Sequence, residues 1–548
     1  MATEAAADMP VKLPTVRLDT TLAELYARAS PRLAGKRVGQ VLSGTNSGMG
    51  LSNNFPRNSK YLYQDSPFNS ADADRDESEA ARRELAVKYL SLIPQRDAFI
   101  TGAAPVVLFN LGTDPDQRAQ DRREAERTVA VLGADQRPEL IFCPGPAEIP
   151  VEEARLDLLA CKLMIDGLER YDLVVPAETH WFLNSKAALA QSGLPTPVCE
   201  AVELSGHGAE AGLCCKACQR STDGFVVPEL CTGERGRWVD EESAKVYDAV
   251  RARRLPFVLK NQQTFGGAGT YMVNTEEDRA RLLEELRGGV LRRLLSSVTA
   301  SNSHLKPGTI LLSQMVAEPI GDYGVTFFVT DRDDGDDDPI FLATSEQMTD
   351  GPAWIGSTTN YARQDELRAK FGPLVRLAGR WLRSHGYVGP AGADVLETAP
   401  HAHAHGDGDG DDCSGHAAAA AAAAPGDADR PPSEFPHFHI VDLNVRTSGS
   451  LCLPLLRGHF TSRGLWCASS FSVSVAKTRE QFVRKFRAEF ESGAMCIVSW
   501  YEDRRVPADG KGEPSVLSLA DVALGAEDME ALGKAIDRVR NATDEVTF

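Results

Sequence analysis

Three residues on one stretch of this 548-residue chain have the types and spacing to hold a divalent cation beside an anion: Asp442, Asn444 and Arg446. In the run Ile440-Val441-Asp442-Leu443-Asn444-Val445-Arg446, an extended strand sends alternate side chains to opposite faces. Val441, Leu443 and Val445 then form an apolar row for a core. The carboxylate, the carboxamide oxygen and the guanidinium share the other face. Hard oxygen ligands suit Mg²⁺, which usually completes its shell with water and phosphate oxygens. An edge strand with one wet face would carry the same alternation, so the strand alone leaves both readings open.

A second stretch points to phosphate. Residues 255–260 read as a strand ending on Lys260, and 261–265 lead into Gly266-Gly267-Ala268-Gly269-Thr270 before a return strand at 271–274. Glycines let backbone N–H groups close over phosphate oxygens without a Cβ in the way. A plain hairpin turn needs only about two such residues. Lys186 opens a predicted helix at 187–192, closed by Gly193 and Pro195.

Other candidates are weaker. The turn from Gly44 to Gly50 lacks the Gly-Lys-Ser/Thr ending of a phosphate loop and reads as structural, with a substrate-facing role open. The acidic run 331–338 lacks the terminal Glu spacing of a Ca²⁺ loop and reads as a solvated hairpin tip. Cys215-x₂-Cys218 with Cys231 thirteen residues on could hold a structural Zn²⁺, the fourth ligand coming from Cys199, Cys214 or His207. The second Cys-x₂-Cys of a familiar zinc motif is missing, which leaves a thiol-bearing loop as the other reading.

The elements that must position these residues come in an α/β order. Strands are predicted at 36–43, 105–110, 139–143 and 171–176, and helices at 115–132 and 152–169, which argues an open α/β unit over 36–180. Residues 1–35 read as irregular. Beyond the glycine hairpin come a helix at 276–295, strands at 309–316 and 324–330, an amphipathic helix at 366–385 and a strand at 392–397. Residues 399–436, rich in His, Gly, Asp and Ala, lack core-forming side chains and read as an insertion between two antiparallel strands. Without it Asp394 faces the same space as Asp442 and Asn444. A strand at 471–475, a helix at 478–491 with Phe482, Phe486 and Phe490 on one stripe, a strand at 494–501 and a helix at 526–541 follow.

Composition sets outer bounds. Of the net charge of −19, the acidic runs 331–338 and 407–434 carry −5 and −6, so the rest is mildly acidic and offers no basic footprint for nucleic acid. No run of 18 apolar residues suggests a membrane span. Eleven scattered cysteines and an opening stretch without a basic-then-apolar pattern lead to the expectation of a cytoplasmic protein with no signal peptide.

The order of parts resembles the ATP-grasp superfamily of carboxylate–amine ligases, which includes D-alanine–D-alanine ligase, glutathione synthetase and biotin carboxylase. The resemblance rests on a lysine before a helix, a strand-ending lysine, a glycine-tipped hairpin, a connecting strand, Gly392-Ala393-Asp394 and Asp442-x-Asn444-x-Arg446. It covers about 180–455 and implies an α/β (α+β) ATP-grasp domain at 181–455, interrupted by the 399–436 insertion. A pre-ATP-grasp α/β domain at 36–180 would precede it and a C-terminal α+β extension at 456–548 would follow. It implies that Lys186 and Lys260 contact ATP phosphates, that Gly266, Gly267, Ala268, Gly269 and Thr270 form a lid, and that Gln314, Met315 and Val316 present backbone groups to adenine. Asp394, Asp442 and Asn444 match Mg²⁺ ligands, with two ions expected, and Arg446 the residue that steadies an acyl phosphate. Two departures stand out: Gln-Met at the hinge where acidic-then-Lys is frequent, and Asp394 where Glu is usual. The implied reaction joins a small carboxylate to an amine, an amino acid or peptide among them, with release of ADP and phosphate. A carboxylate–thiol ligase, a phosphotransferase and a silent ATP-binding scaffold are the alternatives. No nucleic acid or membrane partner is implied, and a homo-oligomer is compatible with the reading.

Overall fold

The computed structural model describes residues 11–43, 50–65, 79–112, 114–220, 226–265, 267, 269–332, 338–350, 353–399, 435–505 and 515–542. The Gly44–Gly50 turn apart from Gly50, the middle of the acidic run, and nearly all of the 399–436 insertion therefore lie outside the described residues, as do Gly266 and Ala268. The chain is α/β, built on a four-stranded parallel sheet and two antiparallel sheets, with a two-stranded parallel pair of Gln64–Asp65 and Thr264–Phe265 besides.

The first sheet is parallel, ordered β3-β2-β1-β4, from β1 (Val38–Val41), β2 (Pro105–Phe109), β3 (Glu139–Cys143) and β4 (Leu158–Cys161). Its strands are apolar runs because helices cover a parallel sheet, and all five residues of β2 are buried. The flanking helix Pro115–Ala130 starts where Asp114 caps the Asp116 N–H and Pro115 fits the first turn. Two sequence expectations are corrected here. The segment 152–169 is not a helix, because Leu158-Leu159-Ala160-Cys161 is an apolar run that completes the sheet. The segment 171–176 contributes only an isolated bridge from Leu173 to Leu159.

Residues 1–35 are not irregular throughout either. Thr21 and Glu24 form a capping box that starts the helix Leu22–Ala29. Leu22, Leu25, Tyr26 and Ala29 fall on one buried face of it. A long helix, Glu79–Phe99, was also not foreseen.

The second sheet is small and antiparallel, ordered β5-β8-β6-β7, from β5 (Cys199–Val202), β6 (Phe257–Asn261), β7 (Thr270–Val273) and β8 (Ile310–Gln314). It packs with the helices Glu234–Ala252, Glu276–Glu285 and Leu291–Ser296 around a core of its own. The single helix expected over 276–295 is broken at Leu286–Val290, where Gly289 takes φ +119°, a conformation costly to any residue with a Cβ.

The third sheet has eight antiparallel strands, ordered β13-β12-β9-β10-β11-β14-β16-β15. They are β9 (Gly321–Val329), β10 (Ile340–Asp350), β11 (Ala353–Asn360), β12 (Gly389–Glu397), β13 (Phe438–Asn444), β14 (Cys467–Val475), β15 (Met495–Arg505) and β16 (Ser515–Ala526). The helix Gln364–Ser384 buries Leu367, Phe371, Leu374 and Leu382 against it. Residues 456–548 supply three of the eight strands, including β16, which the sequence reading passed over. Among the described residues no helix is long and apolar enough to cross a membrane.

Candidate functional site: two carboxylates facing two lysines

β12 and β13 pair directly, with Asp394 opposite Asp442 and Gly392 opposite Asn444. The ladder slips between Asp394 and Val395, so Asp442 pairs with Asp394 while Ile440 pairs with Val395. Val441 is the extra residue of a bulge, a device that re-aims side chains near functional sites. Leu443 and Val445 are buried in the main core, which anchors the strand and holds its polar face in place. Gln347 Nε2 donates to Asp394 Oδ1 at 2.9 Å and Asn444 Nδ2 to Asp394 Oδ2 at 3.2 Å. Arg446 donates to Asn444 Oδ1 at 2.7 Å and to Asn184 Oδ1 at 2.8 Å.

The lysines arrive from elsewhere in the chain. Ser185 caps the Ala188 N–H and starts the helix Lys186–Gln191, so Lys186 stands in its first turn and its Nζ pairs with Asp442 Oδ1. Lys260 sits on β6 of the small sheet, and its Nζ donates to the Val441 carbonyl at 2.6 Å. Gln262 ties the two lysine-bearing segments together, its carbonyl accepting from the Lys186 N–H and its Oε1 from the Ala187 N–H, each at 3.0 Å.

Charge is unevenly balanced in this space. Burial, then the neighbouring Asp442, pushes the Asp394 carboxyl up to about 7. Burial also raises Asp442, but Lys186 and Lys260 outweigh it and hold the carboxyl below its usual range. Lys260 is lowered, chiefly by burial, with Lys186 adding to the effect. Two carboxylates in register repel unless a cation lies between or beside them. Together with the Asn444 amide oxygen they form a donor set that fits Mg²⁺.

The glycine hairpin rises from the base of Lys260, which pairs with Thr270 across β6 and β7. The Asn261 N–H donates to the Gly269 carbonyl at 3.0 Å. Gly269 has φ +65°, and a Cβ there would meet the Asn261 side chain at 2.4 Å, so both conformation and space call for glycine. Gly267 also lies in the left-handed region, at φ +85°. Gln314 ends β8 with an exposed side chain, and Met315 and Val316 follow it half-buried. Its strand pairs with the one carrying Lys260, with Leu311 opposite Lys260.

Sequence reasoning missed the groups behind Arg446. A cavity there is lined by Gln40, Lys162, His180, Tyr387, Arg446 and Thr447, among others. Lys162 is fully buried and pairs with Asp97, which also accepts from Thr447 Oγ1 at 2.8 Å. Burial brings Lys162 down to about 8. Burial, then Arg446, brings His180 down to about 4, so its ring is neutral near pH 7. Only Thr447, next to Arg446, carried a hint in the sequence.

No protein-family model matches the chain, and no curated protein matches it in sequence. Solved structures resemble it at low identity. N5-carboxyaminoimidazole ribonucleotide synthetase from Thermus thermophilus is 13% identical over 81% of this chain and 93% of its own, with a TM-score of 0.39. Phosphoribosylamine–glycine ligase from Thermotoga maritima is 10% identical over 83% of this chain and 95% of its own, with a TM-score of 0.40. Biotin carboxylase from Campylobacter jejuni is 11% identical over 83% of this chain and 88% of its own, with a TM-score of 0.39.

Proposed function

We propose that this chain is an ATP-dependent ligase of the ATP-grasp kind that activates a small carboxylate as an acyl phosphate and joins it to an amine. The observation that carries the reading is the meeting of Asp394 and Asp442, register partners on the large sheet, with Lys186 and Lys260, which come from two other elements.

In this reading the ATP phosphates lie between the two sheets. Lys186 and Lys260 supply fixed positive charge where the phosphate oxygens would be, and the hairpin carrying Gly267, Gly269 and Thr270 closes over them. Such preorganised charge acts most strongly in a site that excludes water. Mg²⁺ held by Asp394, Asp442 and Asn444 would neutralise charge on the phosphate oxygens. Arg446, braced on both sides by Asn184 and Asn444, is oriented to bind the substrate carboxylate and then the acyl phosphate. The γ-phosphoryl passes to the carboxylate, the amine attacks the acyl carbon, and phosphate leaves. Water exclusion matters because an acyl phosphate hydrolyses readily. Arg446 also lines a small cavity together with Lys162, His180 and Tyr387.

The test is ADP release from ATP and Mg²⁺ across a panel of amino acids and small carboxylic acids, each with and without an amine, with products weighed by mass spectrometry. ADP formation that needs both a carboxylate and an amine, with a new amide, is the expected result. ATP binding without turnover on any pair would favour a silent scaffold, and a thioester product with thiol acceptors would replace the amine.

A further inference from the structure

Away from this site, four sulfurs converge in the small lobe. Cys214, Cys215, Cys218 and Cys231 place their Sγ atoms within 4.8 Å of one another. Cys231 Sγ lies 3.7 Å from that of Cys214, 3.6 Å from Cys215 and 3.2 Å from Cys218, and Cys215 lies 4.0 Å from Cys218. Four sulfurs bound to one Zn²⁺ at about 2.3 Å stand at the corners of a tetrahedron with edges of about 3.8 Å. Three of the four spacings fall within about 0.2 Å of that figure, and the Cys218–Cys231 spacing of 3.2 Å is shorter.

We propose that Cys214, Cys215, Cys218 and Cys231 hold one structural Zn²⁺ as thiolates. Of the three fourth ligands that the sequence left open, the cluster takes Cys214. Cys199 lies on β5 opposite Ser313, and neither it nor His207 belongs to the cluster.

The surroundings are shaped to the sulfurs. Backbone N–H groups of Cys218 and Ala217 donate to Cys215 Sγ, and that of Arg235 donates to Cys214 Sγ. Such donors stabilise the net negative charge that four thiolates leave on a Zn²⁺ ion. Gly233 caps the helix Glu234–Ala252, and a Cβ on it would meet Cys214 Sγ at 2.6 Å and Cys215 Cβ at 3.2 Å. A Cβ on Gly236 would come 2.0 Å from the Cys231 carbonyl oxygen. The start of that helix thus lies tight against the cysteine segment, with room only for glycine at positions 233 and 236.

The ion has a structural task to perform. Cys218 and Cys231 belong to the core of the small lobe, with Val239, Val246, Phe257 and Leu259. Among the described residues of the segment around them, Val227 is also buried there and its N–H donates to Ser296 Oγ at 2.9 Å, whereas Leu213 is 81% exposed and Leu230 is 84% exposed. Binding fastens this segment to the start of the helix whose Val239, Val246 and Val250 share a core with Phe257 and Leu259 of β6, the strand of Lys260. Because a preformed site does not exist in the unfolded chain, the metal's binding energy becomes stability of the lobe. Each thiol gives up its proton on binding, so affinity falls in acid.

The experiment uses the full chain, purified without a histidine tag in reducing buffer. Elemental analysis should find about one zinc per chain, and a mercurial thiol reagent should release it. X-ray absorption should show sulfur ligands alone. This last readout separates the site from the histidine tract at 401–405, which would bind through nitrogen. Cys218→Ser should drop zinc below about a tenth of an equivalent, whereas Cys199→Ser should retain it. Should Cys218→Ser fail to fold, release of zinc from the unmodified chain by the thiol reagent remains the deciding measurement. Nitrogen ligation, iron in place of zinc, a disulfide among the four cysteines in freshly reduced protein, or a zinc-free folded chain would each overturn the proposal.

Discussion

Lys260 Nζ donates to the carbonyl of Val441, the residue that the bulge in β13 leaves without a register partner. The contact crosses from the small sheet to the large one and draws on a carbonyl that a regular ladder would have spent on β12. The bulge thus supplies an acceptor that fixes the lysine's reach. Lys260→Met is expected to lower ATP turnover at least about a hundredfold, the scale of losing one preorganised charge at a reacting phosphate. Steady-state ADP release checks this. Turnover within a factor of two of the unmodified chain would remove Lys260 from the phosphate site.

Asp442→Ala should abolish ADP release while leaving the thermal midpoint within a few degrees. Its side chain is 28% exposed, so truncation removes an ion-pair partner for Lys186 and opens no core cavity. It does remove the acceptor of the Leu443 N–H at 2.8 Å, a loss of about 1 kcal/mol. Unchanged activity would sink the assignment of this carboxylate.

Arg446→Lys tests whether the fork or merely the charge matters. The guanidinium spans Asn184 and Asn444, and a single ammonium cannot satisfy both. The expected result is a fall of about tenfold or more in kcat/KM for the carboxylate substrate, with ATP affinity measured by calorimetry nearly unchanged. A parallel loss of ATP affinity would move Arg446 to the nucleotide.

A stability prediction concerns Asp121, buried between Ser91 Oγ at 2.8 Å and Gln117 Nε2 at 2.7 Å. Burial pushes its carboxyl from 3.8 up to about 6. The folded state therefore binds this proton more tightly than the unfolded one. The group disfavours folding above pH 6, and the deficit disappears as the pH falls through 6 toward 4. Asp121→Asn should accordingly be more stable than the parent by up to about 3 kcal/mol at pH 8, at about 1.4 kcal/mol per pKa unit. That advantage should shrink between pH 6 and 4. Denaturant melts at pH 8, 6 and 4 measure it, and a pH-independent difference would contradict the assignment.

Deleting residues 401–432 and bridging with a short glycine-containing turn should preserve ligase activity. The segment joins β12 to β13, and those strands are already paired as far as Glu397 opposite Phe438. An antiparallel link of this kind needs only a few residues. A folded deletion variant with KM raised tenfold would instead give His401, His403 and His405 a role at the site.

What the sequence made legible was local. Although Val441, expected in the core row, is the bulge residue and Ile440 takes the core place, the period-two alternation from Asp442 to Arg446 and the glycine-tipped hairpin could be read because every residue that defines them is a near neighbour. The same holds for the Thr21 and Glu24 capping box, which was there to be read and was overlooked. The strand at Leu158–Cys161 was hidden by the charged, helix-favouring residues 152–157 just before it. The buried set of Lys162, Asp97 and Thr447 could not have been found this way. Its members lie 65 and 350 residues apart, and only the packing of the first sheet against the third brings them together. The fourth cysteine was named among three options, and the choice depended on how the loop folds back on the helix at Glu234.

The eighth strand of the large sheet also sets a rule for how the chain is made. Gln95, on the first long helix, accepts from the Trp500 N–H at 3.1 Å and donates to its carbonyl at 3.0 Å, taking the place of a neighbouring strand's backbone. Glu124 is buried with Arg479 as its partner at 3.1 Å. Both N-terminal groups leave the ribosome some 350 to 400 residues before the residues that satisfy them. Gln120 and Arg127 also reach the Glu124 carboxylate, and Ser91 and Thr128 also engage Gln95, so the early helices supply part of their own polar partners. Trp500 and Arg479 complete those sets, and the helices Glu79–Phe99 and Pro115–Ala130 are fully satisfied only once β15 and the segment at Arg479 are docked on them.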